Sequence, residues 1–158
     1  GQGIILAGPS DAGKTTASQR LPSSWTSLSD DCTLVVRDDK GQYHAHPWPT
    51  WSSFLHNGNQ GQSWDVQSSV PLKSIFMLVQ DKVDSVKALG TGESACMLYE
   101  TAEHAWFGLD TDYDQTKKQQ LRTRRFNNIC ELTKAVPAYL LHCSLDGAFW
   151  EEIEQELF

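Results

Sequence analysis

The chain alternates between short apolar runs and polar, glycine- or proline-bearing breaks, and that rhythm predicts its elements. Ile4-Ile5-Leu6-Ala7 is a short apolar run, read as a buried strand. Residues 15–21 can form a helix, which Pro22 stops. Residues 25–29 read as a short strand, and residues 32–37, rich in β-branched side chains, as another. A turn at Asp38-Asp39-Lys40-Gly41 returns the chain into residues 42–46, the second arm of a hairpin. Pro47 and Pro49 keep the next residues out of a regular central strand. Residues 57–69, rich in Gly, Asn, Gln and Ser, read as a loop within one domain.

The longest apolar strand is predicted at residues 71–79. Beyond it the period changes. Thr91 is positioned to cap a helix whose Ala95, Leu98, Tyr99, Ala102 and Trp106 share a face. A longer helix is predicted over residues 115–134, with Phe126, Ile129, Cys130 and Thr133 inward and Pro137 closing it. Residues 139–143 read as a last strand. Asp146 is expected to cap a terminal helix on which Phe149, Ile153 and Leu157 stack. Strands alternating with helices in 158 residues indicate a single mixed α/β domain over residues 1–158. The Gly1-Gln2-Gly3 turn resembles a hairpin tip, so a preceding N-terminal strand is expected.

The chemistry is concentrated early. Gly8-Pro9-Ser10-Asp11-Ala12-Gly13-Lys14-Thr15, followed by Thr16, matches the phosphate-loop pattern, between a predicted strand and a predicted helix. In such a loop backbone N–H groups surround phosphate oxygens, the lysine reaches the β- and γ-phosphates, and the hydroxyl ligates Mg²⁺. The expected ligands are therefore ATP, or another nucleoside triphosphate or pyrophosphate, with Mg²⁺. Residues 8–16 form the nucleotide site, and Lys14 is catalytic. Asp30 and Asp31, after a short predicted strand, supply the next requirement. One carboxylate, taken as Asp31, binds the metal beside Thr15. The other accepts a proton from an attacking hydroxyl. Which does which is open at this stage.

Net charge of −7 and a pI near 5.1 argue against a nucleic-acid or anionic-membrane binder. No apolar run is long enough to span a bilayer. Cys32, Cys96, Cys130 and Cys143 lack zinc or redox spacing, so reduced thiols in a cytoplasmic protein are expected. His44 and His46 alternate onto one strand face, Trp48 and Trp51 offer aromatic walls, and residues 57–69 offer a lid. Lys117, Lys118, Arg122, Arg124 and Arg125 form a basic cluster. For each, ordinary packing or solvation competes with a role in substrate binding.

Residues 8–16 followed by Ser29-Asp30-Asp31 resemble the catalytic domain of HPr serine kinase/phosphorylase, and more distantly the ATP-binding domain of phosphoenolpyruvate carboxykinase. Leu28-Ser29-Asp30-Asp31-Cys32, His46-Pro47-Trp48-Pro49-Thr50-Trp51-Ser52 and the segment from Ser144 to Ile153 extend the likeness over nearly the whole chain. They are similar to HPr-kinase-related proteins of bacterial peptide-modification cassettes, including the SynChlorMet cassette kinase-like protein. The resemblance implies a phosphate-loop domain with a mixed, curled sheet and helices mainly on one side. It implies transfer of the γ-phosphoryl group of ATP to a serine-type hydroxyl on a peptide or protein, and it leaves homo-oligomerisation open. The family's histidine before the loop would precede Gly1, and its downstream Gly-rich signature is not recognisable. Phosphorylase activity is therefore not expected. A nucleotide-dependent binding or chaperone module and a small-molecule kinase stand as alternatives.

Overall fold

A computed structural model describes residues 1–29, 32–48, 65–105 and 112–158. In chain order the elements are β1 (Gly3–Ala7), α1 (Lys14–Arg20), β2 (Thr33–Arg37), β3 (Tyr43–Pro47), β4 (Val70–Gln80) and β5 (Ser85–Ala88). They continue with α2 (Thr91–His104), α3 (Gln115–Ala135), β6 (Ala138–Cys143) and α4 (Phe149–Leu157). The fold is mixed α/β: a six-stranded mixed sheet and, among the described residues, four helices.

The sheet is organised by β4. Its partners β1 and β6 both run parallel to it, Ala7 beside Met77 and Leu141 beside Leu78. At its N-terminal end β4 pairs antiparallel with β3, which pairs antiparallel with β2; β5 closes the other side against β6. Parallel strands share a direction, so the carboxyl ends of β1, β4 and β6 lie along one edge. Open α/β sheets place their ligands at that kind of edge.

Alternation along β4 divides the core into two clusters. Ile75 and Met77 join Leu132 and Val136, with Met97 and Leu98 packed against them. Phe76 and Leu78 join Ala17, Phe149 and Ile153. Successive strand residues point to opposite faces, so α2 and α3 cover one face and α1 and α4 the other. This corrects the expectation of helices mainly on one side. The reason lies in β4 itself, buried without interruption from Ser74 to Leu78; a strand that apolar on both faces needs two covers.

Other expectations also change. Residues 25–29 form no strand. Trp25 N–H instead closes a turn on the Pro22 carbonyl at 2.9 Å, and its indole donates to Glu154 Oε1 at 2.9 Å. β5 was not anticipated. Thr91 is the first residue of α2 rather than its cap, and Ala148 rather than Asp146 precedes α4. Phe126 is 42 % exposed, its ring set edge-on to Tyr99 with centroids 5.6 Å apart. Trp51, Trp106 and most of the expected lid lie outside the described residues. No described helix is long and apolar enough to cross a membrane, and no disulfide joins the described cysteines.

Candidate functional site

The loop between β1 and α1 emerges from the carboxyl edge of the sheet. Its shape depends on two glycines. A Cβ on Gly8 would come 2.9 Å from the Ala12 Cβ, inside van der Waals contact, so the loop closes only with glycine there. Gly13 has φ of 95°, a left-handed conformation that glycine adopts without strain, and its carbonyl accepts the Ala17 N–H at 2.8 Å to start α1. Asp11 shares the left-handed region at φ 65°. Inside the loop Ala12 N–H donates to the Pro9 carbonyl at 3.3 Å.

Lys14 folds back over this loop. Its Nζ donates to the carbonyl oxygens of Gly8 at 3.0 Å and Pro9 at 2.8 Å. Among the described residues the ammonium is thus held by neutral carbonyl acceptors rather than by a carboxylate. Thr15 and Thr16 are exposed in the first turn of α1.

Lys14 and Ser18 also line a groove of about 550 Å³ with Ser29, Thr33 and His46. Asp30 and Asp31 lie outside the described residues; Ser29, just before them, and Thr33, two positions after them, border the groove that Lys14 borders. Ser29 Oγ donates to the Cys32 carbonyl at 2.7 Å. Of the two histidines, His46 reaches the groove. His44 turns away to Asp38, with Nε2 3.3 Å from Oδ2. Trp48 is a partly exposed residue whose N–H donates to the Cys32 carbonyl at 3.1 Å.

Two strand ends beside the loop carry polar groups that no sequence motif announces. At the end of β4, Gln80 Nε2 donates to the Asp11 carbonyl at 2.9 Å. Asp81, next in sequence, receives His142 Nδ1 of β6 at 2.8 Å. The Lys82 backbone N–H, and then His142, hold the Asp81 carboxyl below its usual range. The signal available in the sequence was the position of Gln80 and Asp81 at the end of the longest apolar run. Further along β6, burial and then the Asp84 carboxylate push the Cys143 thiol up to about 11, against the opposing effect of Arg20. A thiol protonated at neutral pH is no nucleophile.

The basic cluster is remote from all this. It lies on α3, on the opposite face of the sheet from α1, where Arg125 pairs with Glu103 of α2. Among the described residues no three carboxylate, imidazole or thiol groups converge on a metal-sized site.

No curated protein matches the chain, and neither does any solved structure. The family model of the SynChlorMet cassette protein ScmC matches residues 1–158, and the chain belongs to that family.

Proposed function

We propose that the protein is an ATP-dependent kinase of the HPr serine kinase type, with a phosphate loop at residues 8–16 and a peptide or protein hydroxyl as acceptor. One observation carries the reading: Lys14 borders one groove with Ser29, just before the Asp30-Asp31 pair, and Thr33, two positions after it. The residues that phosphoryl transfer requires would thereby meet in one place.

The residues fit the ligands. The loop closes around two glycines at a sheet edge suited to anions, and among the described residues Lys14 is held by carbonyls that a phosphate can replace. Thr15 would hold Mg²⁺ with Asp31. A bound Mg²⁺–nucleotide supplies the phosphoryl group and neutralises part of its charge. Lys14 then leaves the Gly8 and Pro9 carbonyls for the phosphate oxygens. The other carboxylate of the pair, Asp30 if Asp31 holds the metal, would accept the acceptor's hydroxyl proton. The groove along Ser29 and His46 gives the acceptor a place to lie beside Lys14. Most of the rate gain comes from positioning and preorganised charge.

Calorimetry with Mg-ATP on wild type and Lys14→Ala tests the reading, joined to mass spectrometry of serine-containing peptides incubated with each. Wild type should bind, the variant should lose about tenfold or more in affinity, and only wild type should phosphorylate peptide. Binding that ignores the substitution sinks the assignment of the loop. Lys14-dependent binding without phosphopeptide favours the nucleotide-gated module.

A further inference from the structure

Gln80 lies beyond the part of β4 that packing explains. Residues 74–78 are buried in the core, whereas Gln80 is exposed. Its amide nonetheless spans 69 positions of sequence to donate from Nε2 to the Asp11 carbonyl at 2.9 Å. The same nitrogen lies 3.8 Å from where a Cβ on Gly13 would stand. Gln80 therefore bonds the loop at Asp11 and lies beside Gly13, its two residues with positive φ.

The consequence follows from peptide geometry. In a trans peptide the C=O and N–H of one unit point in opposite directions. With the Asp11 carbonyl held outward by Gln80, the Ala12 N–H of the same unit is turned inward. There it makes only a long bond, 3.3 Å, to the Pro9 carbonyl, the acceptor that Lys14 Nζ also uses at 2.8 Å. An inward N–H engaged that weakly is the donor an entering anion needs.

We infer that Gln80 is a positioning residue: the end of β4 holds the Asp11-Ala12 peptide unit so that the loop's N–H faces the phosphate. The inference builds on the phosphate-loop reading above. It concerns how the loop is held before ligand arrives, so it predicts an effect on affinity rather than on turnover.

The test uses Gln80→Met in the full chain, which keeps the length of the side chain and removes its donor. Binding of Mg-ATP and of Mg-pyrophosphate is measured by calorimetry for wild type, Lys14→Ala and Gln80→Met, with a thermal melt of each. Gln80→Met should bind both ligands about three- to tenfold more weakly, in line with one net hydrogen bond. The loss should be equal for the two, because the loop reads phosphate rather than base. The melting temperature should stay at the wild-type value, and the Ala12 amide resonance should move while α3 resonances do not. Affinity within twofold of wild type overturns the inference and leaves the phosphate-loop reading standing, provided Lys14→Ala abolishes binding. A melting temperature that falls together with affinity makes Gln80 a structural tie and also overturns it. Wild type that binds neither ligand overturns both the inference and the reading beneath it.

Discussion

Ser74 shows what one residue can reveal about a core. It is fully buried in the centre of β4, and its hydroxyl has no hydrogen-bond partner among the described residues. A buried hydroxyl without a partner costs about 1–3 kcal/mol of desolvation that nothing offsets. Alanine removes that group and leaves only a small void. Ser74→Ala should therefore stabilise the protein, by about 1 kcal/mol, seen in urea as a higher midpoint with an unchanged slope. A lower midpoint would mean that the hydroxyl has a partner in solution. The same scale marks the limit of motif reading. Gly8, Gly13 and Lys14 are legible as a pattern because their spacing is fixed by the loop. Gln80 is not, since its role depends on a strand folding back beside that loop 69 positions away.

Among the elements, α3 depends most on its ends. Over most of its length it is polar and exposed, and only Leu132 and Thr133, near its C-terminus, are buried. Its first turn has no core contact to hold it. Asp114 supplies the hold: its Oδ1 accepts the Lys117 N–H at 2.7 Å, satisfying one of the unpaired donors of the first turn. Asp114→Ala should lower stability by about 1 kcal/mol. Amide exchange should rise in residues 115–118 and not in 129–135. Uniform loss of protection along the helix would show that the cap does not act locally.

Most elements could be read from period and punctuation, and the exceptions have physical causes. α4 was clear because Phe149 and Ile153 repeat at helical spacing and are both fully buried. β5 was missed because Ser85-Val86-Lys87-Ala88 has one large apolar side chain; its strand character comes from pairing with β6. The helix caps failed because Asp146 and Thr91 have the right chemistry one or two positions from where the backbone turns. The two-faced covering of the sheet follows from the unbroken burial of β4, whereas the resemblance implies helices mainly on one side. In the candidate site, the glycine loop stands out in the sequence by its spacing, and the Asp81–His142 pair requires the sheet order.

At the scale of the whole molecule, the acidic balance meets a set of carboxylates that the folded chain uses. Asp38 is held below its usual range by the Gln42 N–H first, with His44 and the Lys40 N–H adding to this against desolvation. Asp65 is lowered by the Ser68 hydroxyl and the Gln67 N–H. Asp81 is lowered by the Lys82 N–H and then His142. Each serves a junction: the β2–β3 turn, the approach to β4, and the contact of β4 with β6. A carboxylate whose folded pKa is depressed contributes stability above its unfolded pKa and loses it as pH falls through the folded one. The window here opens just below the ordinary value of 3.8 and extends downward. Below the pI near 5.1 the chain is already net positive, so protonating its other carboxylates adds like-charge repulsion and also lowers stability. The total stability curve therefore mixes the two, and a difference between variants separates them. The triple variant Asp38→Asn, Asp65→Asn, Asp81→Asn should be less stable than wild type at pH 7. The gap should hold down to about pH 4 and close progressively below it, as wild type takes up the protons that the variant cannot bind. Urea unfolding of both proteins from pH 7 to pH 2.5 measures that gap directly. A constant gap across the range would mean that these carboxylates act through packing or shape. A gap that widened toward low pH would reverse the sign of the linkage and reject the depressed values.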